Sequence, residues 1–350
     1  MGGIVGLVDL DARPDRDQLM TMFDRVAYRG PDGQGEVFDE RAGFAHAVLT
    51  VSEDRGIQPL VTDDVVIVLD GWIYDHTLPR SLAGPSAPLA SDSRTLLAAW
   101  RRWGRDFVEH IEGDFAVAVW DRNEHQLHLF RDRFGIRPLF WTRQGRRFAF
   151  ASTLPALLPL PWVGRRPDPQ RLAEYLSFQV VHAPRTLLPD VHQVEPGHWL
   201  KFDAEGLVTR RWWTIRYAQP GTPRPRDTEI LEEVQTAVQD AVRRRIPRGV
   251  KAGLFLSGGL GSTAIAAASR RLHLNLPTYT ISFTDDPFPE LPFAGRVARL
   301  LGLAHTEIVV GTSDVAGAFE PAVRAMGHPI GNPTALLQLL LAQHAKTDVD

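Results

Sequence analysis

Short runs of apolar, β-branched and aromatic residues recur along the first part of the chain: Ile4 to Val8, Val65 to Leu69, Phe115 to Trp120, Gln126 to Phe130, Arg147 to Ala151 and His198 to Phe202. Turn-forming residues separate them, so this part reads as strand-rich. In Phe115 to Trp120, FAVAVW, both alternating faces are apolar, which predicts a strand covered on both sides. Arg16 to Val26 and Ser93 to Trp103 read as helices between the strands. A layered α/β sandwich is therefore expected rather than an all-β barrel.

The pattern changes after Tyr217 to Asp227, YAQPGTPRPRD, whose prolines and glycine among polar residues predict a linker. Ile230, Leu231, Val234, Ala237, Val238, Ala241 and Val242 then repeat at helical spacing with charges on the other face. A strand ending at Leu256 follows, then helix Ser262 to Leu272, strand Thr278 to Phe283, helix Leu291 to Leu301, strand Thr306 to Val310 and two further helical stretches. Strand and helix alternating at this pace predict a parallel, doubly wound sheet. The expected domains are residues 1–216, a linker at 217–227 and residues 228–350.

Composition narrows the function classes. A chain of 350 residues with 44% hydrophobic and 23% charged residues has ordinary globular values. The formal charge of -3 offers no footprint for nucleic acid or an anionic membrane surface. No run has the length of a membrane span, and MGGIVGLVDLD lacks the features of a signal peptide, so the cytoplasm is the expected location. With no cysteine there is no disulfide, no thiolate metal site and no cysteine nucleophile. The twelve histidines have no spacing that builds a metal site, and His46, His76 and His305 are expected to be packing or surface residues.

The chemistry-bearing stretch is Leu254 to Ala264, LFLSGGLGSTA, where a strand breaks into glycines and then into helix formers. In a doubly wound sheet, ligands bind beyond the carboxyl ends of the strands. Ser257, Gly258 and Gly259 expose backbone N–H groups, and the next helix points its positive end at the same place. Ser262 and Thr263 add hydroxyls that cap the helix or donate to an anion. Phosphate is the natural guest; the alternative is a tight turn whose glycines only permit close packing. Neither G-x-x-x-x-G-K-[ST] nor G-x-G-x-x-G is formed.

The loop resembles the S-G-G-x-D-S pyrophosphate loop of the asparagine synthetase and ATP-pyrophosphatase families. Met1 to Val5 MGGIV, Tyr28 to Gly33 YRGPDG, Asp70 to His76 DGWIYDH, Ser91 and Asp92, Glu112 to Trp120 EGDFAVAVW and Arg131 to Phe140 RDRFGIRPLF follow in the order found in asparagine synthetases. Beyond the loop, Thr278 to Asp285, Glu290 to Ala298 and Gly302 to Ile308 are also similar to that family. The resemblance implies an N-terminal Ntn-type αββα sandwich. It also implies a C-terminal doubly wound, parallel-sheet ATP-pyrophosphatase (PP-loop) domain, truncated here, that adenylates a carboxylate with ATP and Mg²⁺.

Within that resemblance several positions depart from the family pattern. Gly2 stands where the family carries its nucleophilic cysteine, Val48 where it carries an arginine that grips the substrate carboxylate, Asp70 where it carries an asparagine and Trp72 where it carries a glutamate; Gly71 and Asp92 persist. A domain so altered is not expected to hydrolyse glutamine. Gly261 occupies the place of an aspartate that by resemblance helps hold Mg²⁺. Arg131, Asp132, Arg133 and Arg137 are expected to form a structural ion-pair network bracing a domain interface. The resemblance further implies nucleotide contacts at Leu256, Ser257, Gly258, Gly259, Gly261, Ser262, Thr263 and Ser282, with Ser282 near the adenine or simply a surface turn serine.

The sequence stops at Asp350, before the family's S-G-D-G-x-D-E loop. The chain is thus expected to be a fragment, or to rely on a partner chain for the remainder; a homodimer is left open. The expected function is amide formation by carboxylate adenylation without glutamine, on a small-molecule carboxylate or a precursor peptide, as in lasso peptide macrolactam cyclases and β-lactam synthetases. The alternatives are an ammonia-dependent asparagine synthetase and a non-catalytic nucleotide- or peptide-binding homologue.

Overall fold

The computed structural model describes residues 2–50, 58–74, 91–246, 249–284, 291–329 and 331–349. Met1, the end of DGWIYDH from Asp75 to His76, and Asp285 to Glu290 lie outside them. The chain divides into two compact units, one of residues 1–215 with 327–331, the other of 216–326 with 332–350.

The first unit is the αββα sandwich that the resemblance implies, in keeping with the layered α/β pattern. One antiparallel sheet contains β1 (Gly2–Asp9), β2 (Gly33–Phe38), β3 (Ala42–Val48), β8 (Phe140–Gln144), β9 (Arg147–Ala151) and β10 (His192–Gln193) in the order β10-β8-β9-β1-β3-β2. The other runs β12-β11-β7-β6-β5-β4, from β4 (Leu60–Val61), β5 (Val65–Ile73), β6 (Gly113–Asp121), β7 (Gln126–Arg131), β11 (His198–Asp203) and β12 (Gly206–Arg211). FAVAVW explains the layering. Ala116, Ala118 and Trp120 face Ile4, Phe44 and Phe150 in the layer between the sheets. Phe115, Val117 and Val119 face the other way, onto Leu96 and Ala99 of helix α2 (Asp92–Trp103). The first sheet's outer face, including Val5 and Ala47, packs on Leu19, Met22 and Phe23 of helix α1 (Arg16–Asp24). A sheet buried on both faces needs apolar residues at consecutive positions, which is why β1, β5 and β6 read as continuous runs.

Helix α1 ends two residues before the expected Val26, and Ala27–Arg29 continues as a 3-10 turn. After helix α3 (Pro169–Phe178) and β12, residues 212–226 are irregular, and helix α4 (Asp227–Arg245) opens the second unit's regular structure. Its parallel sheet has the order β13-β14-β15, formed by Leu254–Phe255, Thr278–Phe283 and His305–Val310. Helices α5 (Leu260–Arg271), α6 (Leu291–Leu301), α7 (Thr312–Met326) and α8 (Thr334–Ala345) alternate with and follow the strands. Leu256, Ala266, Ala294 and Ala298 build one small core of this unit, and Tyr279, Ile308, Leu336 and Leu340 belong to the other. Among the described residues, no helix is long and apolar enough to cross a membrane.

Candidate functional site

Of the altered residues of the first unit, Gly2, Val48 and Asp70 meet at the start of β1. Gly2 pairs with Val48 across β1 and β3. Its N–H donates to Asp70 Oδ1 at 3.3 Å, bringing β1 against β5. Asp70 is fully buried, and its Oδ2 accepts from Arg29 Nη2 at 2.9 Å and from the Ser152 hydroxyl at 3.0 Å. Arg137 Nη1 stands 3.9 Å from Oδ1. Ser152 Oγ also accepts the Ile4 N–H at 2.9 Å, and Arg29 Nε donates to the Gly2 carbonyl at 3.0 Å. Where the family pattern has a neutral asparagine, a carboxylate ties the first strand to an arginine. A buried charge is tolerable only with such partners.

This arrangement also fills the nucleophile's place. A Cβ built on Gly2 would lie 1.8 Å from the Ala47 carbonyl oxygen and 3.2 Å from His46 Nε2. The missing thiol is thus accompanied by a missing space, because the neighbour in the way is backbone. Gly2→Cys is therefore expected to leave glutamine unhydrolysed and to lower the thermal midpoint, measured by glutamate release and calorimetry; turnover by this variant would refute the reading. Gly71 and Trp72 lie on β5, where Trp72 packs edge-on against Tyr74 at 5.7 Å between centroids. Asp92 begins α2 behind the Ser91 cap. The hydrogen bonds that gather Gly2 and Asp70 run through Arg29 and Ser152, which the sequence reading did not single out.

His46, on β3, is buried beside this cluster, and burial first, then the N-terminal amine, holds its imidazole down at about 4 against the opposing pull of Asp70 and the Leu69 backbone. His128, on β7, is likewise held at about 4 by burial, with its ring 5.1 Å from that of Trp100. Both start from 6.5 when exposed, so the unfolded chain takes up protons first as pH falls. Stability from these neutral imidazoles is complete above about pH 6.5 and is lost as pH falls toward 4, by on the order of 3 kcal/mol per histidine. Urea midpoints at pH 7.5 and 4.5 test this: His46→Phe and His128→Phe are each expected to flatten the pH dependence, and an unchanged slope would contradict it.

In RDRFGIRPLF Arg137 pairs with Asp70, but Arg131 and Asp132 bond to main chain rather than to the charges of the expected network. Arg131 donates to the carbonyls of Arg137, Val194 and Gly135 at 2.8, 2.6 and 2.9 Å. Asp132 accepts the N–H groups of Phe134, Ile136 and Arg137 at 3.0, 2.9 and 2.9 Å. Apart from the Val194 carbonyl, these two side chains spend their charge on the loop's own main chain, since a tight turn leaves amides and carbonyls without ladder partners. Arg133 instead lies over the Trp212 ring at 5.5 Å.

In the second unit, β13 breaks after Phe255, and the buried Leu256 leads into the glycine loop. Gly258 has φ +80, and a Cβ there would lie 2.7 Å from Ala294 N and 2.7 Å from Phe293 Cβ. Helix α5 starts at Leu260, two residues before the expected Ser262, with Gly259 as N-cap and no side-chain cap. The Ser262 hydroxyl therefore does not cap it: Oγ donates to the Gly259 carbonyl at 3.2 Å and lies 3.0 Å from Ser257 Oγ. Thr263 N–H closes the first turn on Gly259 O at 3.0 Å. The amides of Leu260, Gly261 and Ser262 are thus the open donors of a helix N-terminus. Thr263 Oγ1 is a buried hydroxyl with no partner.

Gly261 differs from Gly258: a Cβ there meets nothing within 4 Å. No backbone constraint demands glycine, so the place for a carboxylate is open. The loop nevertheless offers Mg²⁺ only hydroxyls and amides, and no group of three or more His, Asp or Glu suited to a metal occurs among the described residues. A hard, strongly hydrated cation is commonly held by carboxylate oxygens beside substrate phosphates, and the described residues of this loop supply no carboxylate, so by themselves they do not fit Mg²⁺. Ser282 is not a surface turn residue: it lies on β14, buried, with its hydroxyl 3.5 Å from Glu307 Oε1. His305 is half-buried, Nδ1 2.9 Å from Thr278 Oγ1.

With this geometry in view, residues 1–213 match the glutamine amidotransferase domain family and residues 233–350 the asparagine synthase family. The glutamine-hydrolyzing asparagine synthetase 1 of Bacillus subtilis (strain 168) is 29% identical over 100% of this chain and 56% of its own length. Asparagine synthetase 3 of the same organism, also named glutamine-hydrolyzing, is 30% identical over 92% of this chain and 56% of its own. The amidase chyE of Penicillium rubens is 27% identical over 93% of this chain and 52% of its own. The chain spans about half the length of the curated relatives it matches.

Proposed function

Because the chain belongs to the asparagine synthetase family, we propose that it serves ATP-dependent amide-bond formation without hydrolysing glutamine. The two Bacillus subtilis relatives are named glutamine-hydrolyzing. In this chain the observation that carries the departure is the Ala47 carbonyl standing 1.8 Å from where a side chain at Gly2 would begin. An enzyme that takes its amine from the substrate has no use for that thiol. The reading therefore favours the type represented by lasso peptide macrolactam cyclases and β-lactam synthetases, with a small-molecule carboxylate or a precursor peptide as substrate.

In the proposed reaction the substrate carboxylate attacks the α-phosphorus of ATP, pyrophosphate leaves, and an amine displaces AMP to give the amide. This chain's part is positioning. Amides of Leu260, Gly261 and Ser262 face the phosphates with the helix dipole behind them, and the Ser257 and Ser262 hydroxyls flank them. No step is assigned to Mg²⁺.

One observation favours a second reading, a nucleotide-binding homologue with little turnover: Gly261 supplies no carboxylate where the open space would admit one. Pyrophosphate release, assayed with ATP and candidate carboxylates with and without glutamine, separates the two. The proposal expects slow release indifferent to glutamine and raised at least about tenfold by Gly261→Asp, a change of 1.4 kcal/mol. ATP binding with no release from either form would favour the second reading, and glutamine-dependent release would reject the first.

A further inference from the structure

A cavity on the first unit, lined by none of the residues of the Gly2 cluster, has no role in the proposed reaction. It occupies about 570 Å³, and Leu154, Leu158, Leu187 and Leu188 line it together with Arg25 and Arg165. Proline rings complete the wall, and among the described residues no acidic one lines it. Leu154 and Leu188 are buried at 8% and 7% exposure, so the floor is part of the α1 core. Both arginines are exposed, and neither guanidinium has an ion-pair or hydrogen-bond partner among the described residues. The nearby Asp190 and Asp168 carboxylates are engaged elsewhere, with the Gly164 N–H at 3.0 Å and with Gln170 N–H at 2.8 Å.

Two guanidiniums without a protein partner lining one apolar concavity focus positive potential into it. The arrangement is relieved by an anion that presents planar oxygens to the forks while an apolar body covers the leucines. The volume lies within the 300 to 1,000 Å³ or so of small-molecule sites. We infer that this cavity binds a small organic carboxylate with an apolar body, a ligand distinct from the nucleotide. The carboxylate sits between Arg25 and Arg165, and the apolar part lies over Leu154, Leu158 and Leu188.

Calorimetric titration of the full chain with 4-phenylbutyrate, and separately with its neutral amide, tests the inference without ATP. The acid is expected to bind at least about tenfold more tightly than the amide. Arg25→Gln and Arg165→Gln should each weaken the acid about tenfold while leaving the amide unchanged. Thr21 lies on the rim, on the outer side of α1, and Thr21→Trp should fill the cavity and abolish binding of both. Thermal midpoints of the variants confirm folding. Equal affinity for acid and amide, an unmoved affinity in both arginine variants, or binding that survives Thr21→Trp would overturn the inference. None of these outcomes bears on nucleotide binding, which rests on the other unit.

Discussion

Gly258→Val is expected to lower ATP affinity by at least about 100-fold, whereas Gly261→Ala, three residues on, is expected to leave it within about threefold. Both glycines lie in the same loop, yet only one is demanded by the backbone. At Gly258 φ is +80 and an added Cβ would press on Ala294 N at 2.7 Å and on the Phe293 carbonyl carbon at 2.8 Å. A β-branched residue is strained in that conformation, and the contacts are with main chain of α6 that cannot rotate away. The loop must move, and the amides of Leu260, Gly261 and Ser262 lose their common aim. Hydrogen bonds to a charged group contribute about 1.5 to 3 kcal/mol each, so misplacing one or two accounts for the expected loss. Gly261 is helical with open space around its Cβ position, so alanine there removes backbone freedom from the unfolded chain and stabilises α5 by up to about 1 kcal/mol. Titration calorimetry on both variants, with circular dichroism to confirm folding, checks the contrast. Equal losses in the two would show that the glycines share one role.

Asp70→Ala is expected to destabilise the first unit by about 3 to 5 kcal/mol, read from urea unfolding at pH 7.5. The substitution leaves Arg29, whose side chain is only 17% exposed, without its carboxylate, and strips the acceptor from the Gly2 N–H and the Ser152 hydroxyl. Asp70→Asn keeps an oxygen for the Gly2 N–H but removes the charge, and is expected to cost about half as much. A loss under about 1 kcal/mol in Asp70→Ala would mean that the carboxylate does not anchor the strand. Because Gly2 is held through this residue, the alanine variant is also expected to free the start of β1, detectable as faster amide exchange at Ile4 and Val5.

Much of the fold was legible because burial on two faces writes itself as consecutive apolar residues. FAVAVW and VVIVL carry that mark, and β6 and β5 sit where it predicts. Strands without it were missed. β3, AGFAHAV, is thinned by alanine and glycine because its neighbours' aromatic rings fill the space, and β2, GQGEVF, is a partly exposed edge. β13 has only two residues in the ladder although the apolar run that announced it is longer, for its chain turns to the glycine loop at once.

At the sites, sequence shows which residue is present but not what meets it. The Gly2 substitution was plain, but its filling by a carbonyl on β3 depends on a register between residues 45 positions apart. Asp70 was read only as a replacement of an asparagine within an altered pocket. The compensation of its charge by Arg29 and Ser152, 41 and 82 residues away, is a product of folding. Arg29 did lie inside YRGPDG, so the signal was an arginine next to a motif glycine; Ser152 had none. In RDRFGIRPLF the alternating charges suggested pairing with each other, whereas a tight loop gives main-chain groups the first claim on them.

The account depends most on the amides at the head of α5 holding the phosphates of ATP, and their resonances in a ¹⁵N-labelled chain titrated with ATP report on this directly. The expected result is saturable movement of the Leu260, Gly261 and Ser262 amide signals by ATP and by pyrophosphate, abolished in Gly258→Val. Signals that stay in place while the chain is folded, or movement confined to other residues, would contradict the account.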